Sequence, residues 1–362
     1  MAHETFKRAS TWELRHAFED FCRLHGWWLE DYAMFRALRN VYDGATWNKW
    51  EPKIVRREPE ALDSAHSRLH DEIEEQKFTQ FLFYKQWLCL KEHAHSHQIK
   101  IIGDIPIFVA HDSSDVWCNP HFFKLNDTGN PLVVAGVPPD YFSSNGQLWG
   151  NPIYDWQRMQ EDGFKWWIAR VQATLAQVDI IRLDHFRGFA ACWEVPAGEE
   201  TAVSGRWVKA PGLELFTAVK NAIGELPFIA EDLGIITPDV VEMREKFGLP
   251  GMRVLQFAFA GDTASHDLPH NYDTNCVVYT GTHDNDTTLG WFTSVAGEGS
   301  TRSEEEIRHE REFCLAYLDS AGRAIHWDFI RAVLASVAHT AIIPLQDLLG
   351  LSREARMNLP AS

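Results

Sequence analysis

The stretch IIRLDHFRGF, residues 180–189, decides the predicted fold. Its apolar residues alternate with charged ones, and an Arg-Gly pair follows, which is typical of a buried strand that ends at an exposed rim. Alternate side chains of a strand point to the same face, so Arg182 and Asp184 are expected to lie side by side. The stretch therefore predicts a strand that delivers charged groups to an active site.

Two further stretches have the same design: FIAEDLG, residues 228–234, and VVYTGTHDND, residues 277–286. Each is a short β-rich run followed directly by carboxylates, which places Glu231 and Asp284 at strand ends. Helical patterns separate these strands, which indicates a parallel sheet. Carboxylates at the ends of several such strands indicate an α/β barrel of the TIM (β/α)₈ type, with its catalytic face at the C-terminal rim. We predict six strands, near residues 101, 181, 229, 255, 278 and 342, where a closed barrel has eight.

The sequence pattern changes near residue 98, from helical periodicity to strands that alternate with helices. Residues 1–97 repeat apolar side chains at three- and four-residue steps without a convincing strand, which predicts a mostly helical subdomain. Residues 98–362 are expected to form the catalytic barrel region. Within it, residues 119–156 include a long stretch rich in Gly, Pro, Asn and Asp with little periodicity, which predicts a functional loop region. Ser303 and Glu306 have the spacing of a helix capping box.

Composition limits the possible partners. The formal net charge is −17, and Arg56-Arg57 is the largest basic cluster, so nucleic acid is not an expected partner. No apolar run approaches the roughly 20 residues that span a bilayer, and the first residues lack the apolar core of a secretory signal. The six cysteines are scattered without a C-x-x-C pair, which favours free thiols in a reducing compartment. The expected location is cytoplasmic.

The three strand-end carboxylates suit the cleavage of a glycosidic bond. That reaction needs one protonated carboxyl group and one ionised carboxylate. Arg182 favours the ionised form of Asp184, whereas the apolar Phe-Ile-Ala run before Glu231 is expected to raise its pKa. His283 and Asp284 could then bind the hydroxyl groups of the sugar ring. The fifteen tryptophans also suit stacking against sugar rings.

Other interpretations remain open from the residues alone. An Asp at a strand end is often only the cap of the following helix. His93 and His97 would share a helix face, as metal ligands can, although a solvated helix surface is the simpler interpretation. A barrel metallohydrolase would instead use His185, His283, Asp184 and Asp286 as ligands. We expect neither metal site.

Seven stretches of the sequence carry a resemblance to a known family. They are IIGDIPIFVAHDSSDVW (101–117), GVPPDYFSSNGQLWGNPIYDW (136–156), IRLDHFRGF (181–189), AEDLGIITPDV (230–240), PGMRVLQFAF (250–259), YTGTHDNDTTLGW (279–291) and IIPLQDLLGLSREARMN (342–358). In this order they resemble the 4-α-glucanotransferase family, also called amylomaltase or disproportionating enzyme, of the α-amylase superfamily. The resemblance covers most of the chain from about residue 100 onward.

The resemblance implies a role for each matching residue. Asp184 would be the nucleophile, Glu231 the general acid/base, and Asp284 the residue that binds sugar hydroxyls and stabilises the transition state. The substrate-binding residues would be Arg182, His283, Asp104, Asp140, Gln147, Trp149 and Asn358. The implied activity is transfer of α-1,4-glucan segments between malto-oligosaccharides by a retaining double displacement, without a cofactor. The alternatives are a glucan hydrolase and an inactive fragment that binds glucans.

The sequence also departs from the family pattern. Family members extend further at both ends, and the Ser-Pro-Tyr segment of their first two barrel strands is not found here. The chain begins within the family's helical subdomain and stops before the usual aromatic C-terminal segment. We therefore expect a chain truncated relative to the family, with six of the eight barrel strands.

Overall fold

The computed structural model describes residues 11–139, 145–297 and 302–358, together with His3 and Lys7. The chain divides into two compact units. Unit 1 contains residues 1–181 and 188–227, and unit 2 contains residues 182–187 and 228–362. The helices before residue 97 share unit 1 with later segments, and the boundary at 97/98 expected from the sequence stays a prediction.

Helices form the first part of unit 1. They are α1 (Trp12–Val41), α2 (Pro52–Val55), α3 (Pro59–Arg68) and α4 (His70–Ser96). Pro52 and Pro59 each occupy a first helical position, where the missing N–H has no intrahelical partner to lose. Helices α1 and α4 bury a shared aromatic cluster that includes Phe18, Phe21 and Phe81. That burial stabilises two long helices whose surfaces are otherwise largely polar.

An antiparallel sheet of four strands forms the second part of unit 1. Strand β1 (Ile102–Pro106) and helix α5 (Ser114–Cys118) precede it. Its strands, in the order β3-β2-β5-β6, are β2 (Val133–Val137), β3 (Gln147–Pro152), β5 (Ala191–Pro196) and β6 (Arg206–Lys209). Helices α6 (Trp156–Glu161), α7 (Lys165–Gln177) and α8 (Gly212–Ile223) complete this unit.

The stretch 119–156 is therefore not a single loop. Strands β2 and β3 lie within it and pair with each other, with Gly136 opposite Leu148. Gly136 has no room for a side chain, since an added Cβ would lie 2.5 Å from the carbonyl oxygen of Gln147. Gly136, one of the glycines that suggested a loop, is thus needed for the close approach of the two strands.

The second sheet carries the strand-end carboxylates. Its order is β1-β4-β7-β8-β9-β10, which matches the six predicted strands. The five later strands are β4 (Ile180–Asp184), β7 (Phe228–Ala230), β8 (Gly251–Val254), β9 (Cys276–Tyr279) and β10 (Thr340–Ile342). Strands β7 to β10 run parallel, with Gly251 aligned with both Ala230 and Cys276.

Helices of unit 2 follow these strands. They are α9 (Pro238–Lys246), α10 (Thr288–Thr293), α11 (Glu304–Tyr317), α12 (Ile325–Leu334) and α13 (Leu345–Leu348). The predicted capping box opens α11: the N–H of Glu306 donates to Ser303 Oγ, and the N–H of Ser303 donates to the Glu306 carboxylate. The core contains Phe259, Trp291 and Phe329, packed around β9.

Strands β8 and β10 are short, and each ends where a turn or a helix begins. Strand β8 ends at Val254 and a 3₁₀ turn, Leu255–Phe257, follows it. Strand β10 ends at Ile342, because Pro344 opens α13 and turns Asp347 into the interior. There Asp347 accepts hydrogen bonds from the hydroxyls of Thr280 and Thr288, which joins the end of β9 to the start of α10.

Candidate active site

Two adjacent strand ends in unit 2 bring Asp184 and Glu231 together. The N–H of Glu231 donates to the carbonyl of Leu183 at 3.1 Å, and the N–H of Phe186 donates to the carbonyl of Glu231 at 3.0 Å. Residue 231 is therefore bound through its backbone to the chain on both sides of Asp184. These bonds extend the β4–β7 pairing past the strands and fix the separation of the two carboxyl groups.

Asp184 is held beside a cation, as its place in the strand predicts. Arg182 Nη2 lies 3.1 Å from Asp184 Oδ1, and the Arg182 side chain is largely buried. The Asp184 side chain is 41% exposed, so it remains open to a ligand. A guanidinium at this distance favours the ionised carboxylate, which is the form a nucleophile needs.

Glu231 has the opposite electrostatic environment. Burial, and next the nearby Asp184 carboxylate, raise the pKa of Glu231 to about 8. Arg182 and the N–H groups of His185 and Leu233 oppose that rise. Glu231 therefore keeps its proton at neutral pH, beside a carboxylate that Arg182 favours as the anion. Two carboxyl groups whose environments separate their proton affinities are the usual arrangement for an acid and a nucleophile.

The neighbouring carboxylate Asp232 has a structural role. It is buried and forms an ion pair with Arg244 at 3.0 Å, and it accepts the N–H of Met252 at 2.7 Å. These contacts attach the loop after β7 to β8 and α9. Of the adjacent acids in the Glu-Asp pair, Glu231 contacts the turn that carries Asp184, whereas Asp232 pairs with Arg244.

His283 and Asp284 form a second group in unit 2, after β9. His283 Nε2 lies 3.3 Å from Asp284 Oδ2, and both side chains are more than half exposed. Asn358 donates its amide to Asp284 Oδ1 at 2.9 Å and to the carbonyl of His283 at 3.3 Å. The structure therefore unites three residues that the sequence resemblance assigned to one sugar site, although 74 positions separate Asn358 from Asp284.

The segment 353–358 braces this second group at two further points. Arg353 Nε lies 2.9 Å from Asp286 Oδ2, and Arg356 Nη2 donates to the carbonyl of Asp284 at 3.1 Å. Sequence reasoning did not single out Arg353 or Arg356. The SREARMN stretch quoted above contains both arginines a few positions before Asn358, and this proximity could have identified them.

His185 directly follows Asp184, and the sequence did not reveal the role of its backbone. Its φ is 51°, a left-handed conformation that costs a residue with a side chain about 1–2 kcal/mol. Its N–H donates to Glu231 Oε2 at 2.8 Å. Burial, and next Arg187, lower the pKa of its imidazole to about 4, so the ring is neutral at pH 7.

The remaining predicted residues lie in unit 1 or outside the described part. Asp104 is on β1, and Trp149 on β3 donates its indole N–H to the side chain of Gln147 at 3.1 Å. Trp149 also contacts Phe108 through its ring. Asp140 lies outside the described residues. For Asp104, Asp140, Gln147 and Trp149, substrate binding stays a prediction.

In the described part of the chain, the residues considered above as metal ligands do not form a cluster of three that could bind a metal ion. Over residues 11–139, 145–297 and 302–358, His, Cys, Asp and Glu form no group of three that could hold a metal ion. His93 and His97 contact each other on α4, and His97 Nδ1 lies 2.9 Å from the carbonyl oxygen of His93. None of the helices in these described ranges is both long and apolar enough to cross a membrane.

Comparison with known proteins gives one consistent result. A family model described as 4-alpha-glucanotransferase matches residues 1–362. The 4-alpha-glucanotransferase of Thermus thermophilus is 48% identical over 367 residues, which cover 99% of this chain and 71% of that protein. The Synechocystis sp. 4-alpha-glucanotransferase is 49% identical over 96% of this chain and 68% of its own length. The solved amylomaltase of Streptococcus agalactiae in complex with acarbose has a TM-score of 0.90 and 39% identity, over 97% of this chain and 69% of that one.

Proposed function

The chain belongs to the 4-alpha-glucanotransferase family, and on that basis we propose that it transfers α-1,4-glucan segments from a donor malto-oligosaccharide to an acceptor glucan. The amylomaltase with the similar fold was solved with acarbose, which supports a glucan-binding site here. The observation that carries the proposal is the contact between the ends of β4 and β7. There Arg182 pairs with Asp184, while burial and Asp184 keep Glu231 protonated.

In the proposed first step, Glu231 donates its proton to the glycosidic oxygen while a carboxylate oxygen of Asp184 attacks the anomeric carbon. The bond between that carbon and the glycosidic oxygen breaks, and the shortened donor leaves with a new hydroxyl group. A covalent glycosyl ester on Asp184 remains, as in retaining glycosidases. The exposed fraction of Asp184 is what allows the sugar to reach it.

In the second step, Glu231 is ionised and accepts the proton of an acceptor hydroxyl group. The acceptor oxygen attacks the anomeric carbon, the ester bond breaks, and Asp184 regains its negative charge. His283 and Asp284 would hold the ring hydroxyls during both steps, with Asn358 fixing the Asp284 carboxylate. Asp104, Asp140, Gln147 and Trp149 are proposed to bind the rest of the glucan.

Incubation with maltotriose tests the proposal. We expect a ladder of longer and shorter glucans, because an acceptor glucan takes the transferred segment. Glucose and maltose alone would favour hydrolysis, and binding of acarbose without any product would favour a glucan-binding protein without turnover. Either result would contradict the proposal.

The Asp184→Asn variant tests the assignment within the same experiment. It should reduce the rate at least about a thousandfold, since no carboxylate remains to form the ester, while acarbose binding measured by calorimetry persists. Asp273→Asn is the matched control in unit 2, where Asp273 is mostly exposed and lies 4.0 Å from Arg253. A D184N variant that retains more than about a tenth of the rate would show that Asp184 is not the nucleophile.

A further inference from the structure

The turn after β4 has an unusual backbone that the proposed reaction steps do not use. His185 has a φ of 51°, in the region that residues with a Cβ rarely adopt. The chain leaves β4 at Asp184 and enters a 3₁₀ turn at Phe186, so the left-handed residue lies between the nucleophile and that turn. Strained backbone of this kind persists only where the surrounding contacts hold it.

Consecutive N–H groups of this turn point at one residue. The N–H of His185 donates to Glu231 Oε2 at 2.8 Å, and the N–H of Phe186 donates to the carbonyl oxygen of Glu231 at 3.0 Å. Leu233 supplies the other carboxyl oxygen with an N–H at 3.2 Å. Each oxygen of the Glu231 carboxyl group therefore has a backbone donor, and one of the two donors depends on the left-handed turn.

Arg187 attaches the same turn to the loop that follows Glu231. Its guanidinium donates to the carbonyl oxygen of Ile235, three positions beyond Asp232. The segments 183–187 and 231–235 are thus joined through Leu183, His185, Phe186 and Arg187. A change in the backbone at residue 185 must therefore move the Glu231 carboxyl group relative to Asp184.

We propose that His185 is a positioning residue for the acid/base, and that it acts through its left-handed backbone, which aims its N–H at Glu231 Oε2. The proposal rests on the proposed function only in naming Glu231 the acid/base. The geometry also predicts that the position of the Glu231 carboxyl group depends on the ability of residue 185 to adopt a positive φ, and not on the imidazole. Asn tolerates that conformation, whereas a β-branched residue such as Val does not.

Two variants that both lack the imidazole separate these contributions. His185→Asn should keep the turn, and His185→Val should displace the N–H from the carboxylate. The charged side chains that act on Glu231, Asp184 and Arg182, are unchanged in both variants. Asp319→Val is the matched control. Asp319 has a φ of 47° in an exposed loop that contains none of the proposed catalytic or substrate-binding residues.

The first measurement is the titration of the Glu231 carboxyl carbon by NMR, which needs no turnover. We expect the midpoint of H185N to stay near that of the wild type. The midpoint of H185V should rise by about one pH unit, the order expected when a carboxylate loses a hydrogen bond to its charged form. Equal midpoints for H185N and H185V would overturn the proposal, and so would a shift of the same size in D319V.

The second measurement is the rate of maltotriose disproportionation as a function of pH. H185V should lose at least about tenfold in kcat with little change in KM, since a displaced acid impairs the chemical step. H185N should stay within a few fold of the wild type, and a loss as large as that of H185V would assign the role to the imidazole instead. If the wild type makes no glucan ladder, the proposed function fails, and the NMR titration still decides the positioning role. If H185V does not fold, His185→Ala takes its place with the same expected direction and a smaller shift.

Discussion

At the scale of single residues, the proton that the proposed function assigns to Glu231 has a cost in stability. The pKa of its carboxyl group is raised from 4.5 to about 8, by burial first and by Asp184 next. Between these pH values the unfolded chain has an ionised Glu231, whereas the folded protein holds the proton. Folding therefore takes up a proton, and the stability of the folded state falls as pH rises from about 4.5 to about 8.

Glu231→Gln should remove this dependence, because glutamine is neutral at every pH. We expect E231Q to gain stability over the wild type progressively from pH 4.5 to about 8, with a constant difference outside that range. Urea unfolding at a series of pH values measures this difference. Glu242→Gln on the exposed face of α9 is the control for a neutralised glutamate. A difference between E231Q and the wild type that does not vary with pH would contradict the assigned proton.

The sequence predicts which residues lie at the ends of β4 and β7 better than it predicts their conformations. The side-by-side placement of Arg182 and Asp184 follows from strand alternation alone, and the structure confirms it at 3.1 Å. The left-handed backbone of His185 does not follow from local sequence. It depends on hydrogen bonds to Glu231, 46 positions away, which no propensity scale includes. Histidine is enriched among the few non-glycine residues that adopt a positive φ, but that enrichment alone does not single out His185 among the seventeen histidines of the chain.

At the scale of elements, buried strands were easier to predict than exposed ones. Strand β9 is buried throughout, so its continuous apolar run identified it. Strand β3 is mostly exposed and contains a Gly-Asn-Pro run, which is typical of loops, and long-range pairing with β2 makes it a strand. The contacts of Arg353 and Arg356 were missed for a related reason. They join these residues to the loop after β9, 67 or more positions away along the chain.

The ion pair between Arg353 and Asp286 predicts that segment 353–358 positions the loop that carries Asp284. Arg353→Gln removes the ion pair at 2.9 Å that holds segment 353–358 against the loop carrying Asp284. We expect kcat/KM on maltotriose to fall about ten- to a hundredfold, because a small displacement of Asp284, which we propose contacts the substrate, is enough to cause such a loss. The far-ultraviolet circular dichroism should not change.

Arg331→Gln is the matched control for the Arg353 brace. Arg331 pairs with Asp328 at 2.7 Å on α12, in the same unit, and its side chain is well exposed. Surface pairs of this kind contribute little to stability, so R331Q should retain the wild-type kcat/KM. Equal activities for R353Q and R331Q would show that the segment does not position Asp284.

At the scale of the whole molecule, charge and exposed apolar surface oppose each other. The formal net charge of −17 makes copies of the chain repel one another. In unit 2, helices α12 and α13 and the residues that follow them expose Leu334, Leu345 and Leu349, each at 60% or more of its surface. Exposed apolar side chains favour association where they lie close together. The sequence composition predicts the repulsion, whereas the apolar surface becomes visible only once the helices are placed.

The salt concentration should determine whether charge repulsion or apolar attraction between copies of the chain dominates. The Debye length falls from about 30 Å at 0.01 M to about 8 Å at 0.15 M, so added salt screens the repulsion and leaves apolar attraction. We therefore expect the mass measured by light scattering after size exclusion to rise with NaCl concentration. A Leu345→Lys, Leu349→Lys double variant should keep the monomer mass at high salt, because it places two charges in the apolar surface. Leu24→Lys on α1, an equally exposed leucine in unit 1, should behave as the wild type. A wild-type mass that does not depend on salt, or a double variant that associates like the wild type, would exclude this surface as the site of association.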